Sequence, residues 1–206
     1  MYFSDNTNLS ELEKMMQSIP NFRPRRNGSI VLRREMDRCI QEQPPPDSYE
    51  EMLAITMSAI HYEPFMERLN NYIREGEKKR VDYRSKKHKE VFEETIVKMN
   101  HKNYAIMSAL YLLTADYKLW QVMRHHTKKN KIDFEDVKLG NIQEEGYTLY
   151  CAAKDLYHGT KHISISDLAD KELISPKMFA VICNAMAIRR FGIKAIQLVE
   201  GKVEEC

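Results

Sequence analysis

"YAIMSALYLL", residues 104–113, is apolar nearly all the way round. A helix of that kind has no face to give to water, so this stretch predicts the central buried helix of a bundle, capped at its start by Asn103. Every other segment is then read by which face it turns toward this one.

Downstream, Tyr117, Leu119, Trp120 and Val122 carry the helical pattern into "MRHHTKKNKIDFED", residues 123–136. There His125 and His126 stand where a helix C-terminus favours positive charge. "TKKNK" lacks any apolar residue and predicts a loop, and Ile132 and Phe134 bring the chain back to the core. A helix is predicted over 144–157, with Tyr147, Tyr150 and Cys151 inward and Gly159 ending it. "SPKMFAVICNAMAIRRFG", residues 175–192, has every boundary signal of a helix: Ser175 as cap, Pro176 in the first turn, Arg189 and Arg190 in the last, and Gly192 beyond. The tail "IKAIQLVEG" alternates weakly and predicts a strand.

Upstream, Tyr49, Met52, Leu53, Thr56, Met57 and Ile60 share a stripe capped by Asp47 or Ser48. Pro64 opens a second helix with Phe65, Met66, Leu69, Tyr72 and Ile73, and His88, Val91, Phe92, Thr95, Ile96 and Met99 define a third stripe. His88 begins that stripe, so it reads as a buried, hydrogen-bonded histidine. Before the triple proline 44–46, a capping box at Ser10 and Glu13 predicts a short helix to Ile19, residues 29–43 a rough helix, and "PNFRPRRNG" between them an extended arm. The expected organisation is an all-α helical bundle with an N-terminal helical extension and an extended arm. It divides into an arm with short helices (1–46), a helical pair with a charged connection (47–82) and a helical core domain (83–206), in which about five helices form a bundle over 83–195. The short N-terminal helices cannot make a core of their own. They are expected to pack on the C-terminal unit, on another copy or on a partner.

The segment from about residue 83 onward resembles a family of short helical proteins, of no assigned activity, carried by phages and integrative elements of bacteria. The resemblance rests on "HKEVF" (88–92), "ALYLLT" (109–114), "IDFED" (132–136), "LYCAAKDLYHG" (149–159) and "AMAIRRFG" (185–192). It implies a helical fold and a mobile-element origin and lends no catalytic residue. Three positions depart from it: Gly146-Tyr147 stands in place of a Trp-Gln pair, and Asp155 in place of an Asn before Leu-Tyr.

The composition is that of an ordinary globular chain, with a net charge of +2 and 43% hydrophobic residues. The charge is uneven: residues 84–132 hold eleven Lys and Arg against four Asp and Glu, leaving the rest of the chain net acidic. Cys39, Cys151, Cys183 and Cys206 are widely separated, without metal-ligand spacing, and read as thiols of a reducing cytosol. The start "MYFSDNTNLSELEK" has acids where a signal peptide needs bases, so the expected location is cytoplasmic, away from membranes. No P-loop, GxGxxG, GxSxG or HExxH motif is present, which points to a non-enzymatic protein without a cofactor. Adjacent His125 and His126 diverge on a helix, and in "D155xxH158xxxH162" Gly159 breaks the helix between ligands, so neither predicts a metal site.

Two basic features remain. "FRPRR" places Phe22 beside Arg23, Arg25 and Arg26 on a proline-stiffened arm, and Arg124, Lys128, Lys129 and Lys131 follow the two histidines. Either can meet an acidic protein surface or phosphates. The expected function is a mobile-element protein that binds a host macromolecule, most concretely an anti-CRISPR type inhibitor of a host defence nuclease acting by protein–protein contact. The alternative is a DNA- or RNA-binding accessory protein. A second copy of the chain is a further candidate partner.

Overall fold

The computed structural model describes residues 46–75, 80, 82–99 and 102–200. The arm residues Phe22, Arg23, Arg25 and Arg26, the two N-terminal helices, Cys39 and Cys206 lie outside them. The described chain is all-α but for one small hairpin. Its helices are α1 (Tyr49–Met57), α2 (Glu63–Arg74), α3 (Lys86–Ile96), α4 (Tyr104–Leu113), α5 (Tyr117–Met123), α6 (Glu144–His158), α7 (Ile165–Ala169), α8 (Pro176–Phe191) and α9 (Ile193–Val199). None of them is long and apolar enough to cross a membrane.

Helix α4 is the hub. From Ile106 to Leu113 every residue is buried, and α6 and α8 pack along it as its main neighbours, with α3 on another side. The cap is the expected one, since the Asn103 side chain accepts from the Ile106 N–H at 3.2 Å. Asp116 does the same for Leu119 at 2.9 Å, so the apolar run breaks at Thr114–Asp116 and restarts as α5. Helix α1 begins at Ser48, whose hydroxyl accepts from Glu51 N, and packs on α8 and α9. Helix α2 begins at Glu63-Pro64 and packs on α7. The buried residues of α1 and α2 belong to the same apolar cluster as α4, α6 and α8.

Three expectations are corrected. Residues 193–199 form a helix and not a strand: the buried positions Ala195, Ile196 and Val199 recur at helical spacing, and Gly192, with φ 64°, starts a new helix directly after α8. Residues 127–132 form a hairpin where a loop was expected, with Thr127 paired to Ile132 and Lys128 to Lys131. Tyr147 is 54% exposed. The inward stripe of α6 runs through Gly146, Leu149, Tyr150 and Ala153, where a Cβ on Gly146 would lie 3.4 Å from Asp116 Cγ, and Tyr147 falls off that stripe.

Candidate functional site

The basic residues after α5 sit on a hairpin that is firmly seated at its base. A 3₁₀ turn, Arg124–His126, carries the chain off the helix. Thr127 Oγ1 then donates to the Met123 carbonyl at 2.8 Å, and Asp133 N donates to the His126 carbonyl at 2.9 Å. Ile132 is fully buried, and its N–H donates to the Tyr157 hydroxyl at 3.2 Å. Phe134 follows, its ring 5.4 to 5.6 Å from those of Tyr150, Tyr157 and His158, while the Tyr150 hydroxyl donates to its carbonyl at 2.9 Å. A two-residue strand has no stability of its own in water; here the aromatic seat supplies it.

On that base Arg124, Lys128, Lys129 and Lys131 are all exposed. Arg124 Nε lies 3.2 Å from His125 Nε2, and since the guanidinium only donates, that ring nitrogen accepts. Lys131 is spoken for, its ammonium 3.3 Å from Asp133. The Asp133 carboxyl is held below its ordinary range, first by the Glu135 backbone N–H and then by Lys131. The structure therefore places Lys128, Lys129 and Lys131 on one hairpin, with Arg124 on the turn that leads into it.

The remaining ionisable groups of interest are interior and structural. His88 is 1% exposed, and its two nitrogens have fixed roles. The Arg84 backbone N–H donates to Nδ1 at 3.0 Å, so Nε2 carries the proton and donates to the Tyr111 carbonyl at 2.7 Å. Burial, opposed in part by that carbonyl, pushes its pKa down to about 3. The unfolded chain, with an ordinary histidine near pH 6.5, binds the proton more readily than the folded one. Stability contributed by neutral His88 is complete above that pH and is lost as pH falls toward 3. Between pH 7 and 5 the loss from this group is expected to be roughly 2 kcal/mol, read as a drop in the urea midpoint. A His88→Gln variant should show a flatter profile; an identical pH dependence would contradict this assignment.

Beside His88, a chain of polar groups crosses the core. The Tyr49 hydroxyl donates to Asn184 Oδ1 at 2.7 Å and lies 2.9 Å from the Tyr72 hydroxyl. Asn184 Nδ2 donates to the Tyr111 hydroxyl at 3.2 Å, and Tyr111 donates to the Asp82 carbonyl. Burial raises the Tyr49 and Tyr111 hydroxyls well above the ordinary tyrosine range, so both stay protonated. Cys183 is fully buried and its thiol is pushed up to about 12, also by burial; Cys151 is shifted the same way, and both are poor nucleophiles in this state.

Of the "D155xxH158xxxH162" set, two members meet. Asp155 is buried at the end of α6, and its Oδ1 accepts from His162 Nδ1 at 2.6 Å and Thr160 Oγ1 at 2.7 Å, while Oδ2 accepts from the backbone of His162 and Ile163. This carboxylate folds the turn after Gly159 back onto the helix. An asparagine there offers one acceptor oxygen in place of two, which is a physical reason for the aspartate. His158 points elsewhere, against Phe134 and Tyr157. Among the described residues no group of three or more His, Cys, Asp or Glu is placed to hold a metal ion.

No family model, curated protein or solved structure matches the chain.

Proposed function

We propose that the chain is a non-enzymatic protein of a bacterial mobile element that binds a host macromolecule, and that its most specific role is to dock on and inhibit a host defence nuclease of the CRISPR type. The observation that carries this reading is the seated basic hairpin: exposed Lys128 and Lys129 stand on a base fixed by Ile132, Phe134, Tyr150 and Tyr157. A preorganised contact of this kind loses little freedom on binding, whereas the same lysines on a loose loop would lose much more. The mobile-element resemblance of residues 83 onward supplies the setting.

The test is a cleavage assay with a CRISPR effector from a host of the same element, together with recovery of the effector on the immobilised protein. Lys128→Glu with Lys129→Glu is expected to weaken binding by at least about tenfold, mainly through slower association, without moving the thermal midpoint. Recovery of no defence protein, with no loss of nuclease activity, would remove the proposal.

The three lysines within residues 128–131 favour one second reading, a DNA- or RNA-binding accessory protein. It requires affinity that falls steeply with salt and drops when Arg23, Arg25 and Arg26 are neutralised together. Binding that is indifferent to salt would exclude it.

A further inference from the structure

The base of the hairpin is not uniformly basic, and the order of its charges bears on what it can bind. Lys128 stands directly opposite Lys131 across the hairpin, so the two side chains project from the same face. Lys131 reaches Asp133, whose carboxylate also accepts from the Glu135 N–H at 3.2 Å. The His158 ring packs on Phe134, the neighbour of both Asp133 and Glu135, and Lys154 stands one turn before His158 on α6. One face thus carries three ammonium groups with two carboxylates set among them, around the exposed His158.

Opposed like charges weaken a hairpin, and here Asp133 relieves only Lys131. Lys128 is left as the open position. A nucleic-acid backbone repeats one sign of charge, so a strand laid on Lys128 and Lys154 is also brought toward the carboxylates of Asp133 and Glu135, which repel it. A protein loop can alternate its charges and avoid that repulsion.

We infer that this face docks a protein segment of alternating charge, seating carboxylates on Lys128 and Lys154 and a guanidinium or ammonium group on Glu135, and that it does not take a phosphate backbone. The inference rests on the binding role proposed above and names the class of partner. Lys131, neutralised from within, is a positioning residue for Asp133 and not a contact.

The experiment is an NMR titration of the full chain at about 20 mM salt, following the amides of residues 127–136 and the His158 ring. The probes are a Glu-Arg alternating peptide of about ten residues, an all-glutamate peptide of the same length, and a DNA duplex and a single strand of about the same charge. The alternating peptide is expected to shift these resonances at a concentration about fivefold lower than any other probe. Lys128→Glu should abolish that advantage, and Glu135→Lys should transfer it to the all-glutamate peptide. If DNA saturates the face first, the partner class is overturned while a binding role survives; if no probe shifts it, the docking face itself is overturned. A failed nuclease assay, by contrast, would touch only the identity of the partner.

Discussion

Replacing Arg68 by alanine is expected to lower the unfolding free energy by about 3 to 5 kcal/mol, the range for breaking a buried charge out of its hydrogen bonds. Arg68 lies in α2 and is only 6% exposed. Its guanidinium donates to the carbonyls of Leu168 at 2.7 Å and Asp170 at 2.8 Å, and also to that of Ile174, while its flat face covers the Phe179 ring at 4.4 Å. These three carbonyls line the bend between α7 and α8, and the Asp170 carbonyl also accepts from the Ile174 N–H at 3.1 Å. The planar fork matches them, and alanine takes a charged donor from each in a space that also loses packing. Arg68→Lys should recover only part of the loss, because one ammonium cannot reproduce the fork. Urea unfolding decides it: a change below about 1 kcal/mol for alanine would mean that water replaces the guanidinium at no cost.

The second large effect is expected at Gly192. Its φ of 64° and ψ of −129° let α8 stop and α9 begin within one residue, and a Cβ there would strike the Tyr104 ring, lying 2.6 Å from Cζ. Gly192→Ala therefore combines backbone strain with overpacking, together about 2 to 5 kcal/mol. The two parts separate in a double-mutant cycle. In a Tyr104→Ala background the clash is gone and only the strain remains, so the alanine should cost about half as much; equal costs in both backgrounds would assign the whole effect to the backbone.

The positions of most helix ends were legible in the sequence because capping is local. Ser48, Asn103 and Ser175 each close a bond to a backbone N–H three residues on, and Gly159 and Gly192 adopt positive φ as their places after α6 and α8 imply; Asp116 makes the same bond at a break that the unbroken helical pattern of 104–122 conceals. The short capped helix α7, with its Ser164 and Asp167 capping box, was legible by the same signal and was passed over. Helix α9 was misread because seven residues support either period, and only the neighbours choose between them.

Arg68, Asn184 and the role of Asp155 were not legible, for another reason. Apolar periodicity says which face is inside but is silent on a polar residue there, whose meaning depends on partners remote in the chain. Arg68 meets carbonyls about a hundred residues away, and Asn184 meets Tyr49 and Tyr111 across three helices. For the basic hairpin, the sequence showed the cluster but not its seat. Phe134 and Tyr150 were separately readable as core, and only the fold shows Tyr150 and Tyr157 closing on Ile132 and Phe134.

The polar chain through the core has a direction, and that direction constrains how the protein can change over generations. Tyr49 spends its only proton on Asn184, so Tyr72 must donate to Tyr49, and the protons point one way from Tyr72 through Tyr49, Asn184 and Tyr111 to the Asp82 carbonyl. Loss of the Tyr72 hydroxyl leaves the downstream donors Tyr49, Asn184 and Tyr111 with these acceptors. Losing the Tyr111 hydroxyl takes an acceptor from the Asn184 amide and a donor from the Asp82 carbonyl. Of these bonds a change at Tyr72 breaks one and a change at Tyr111 breaks two, so the tolerance of this core to substitution is uneven along the chain of donors.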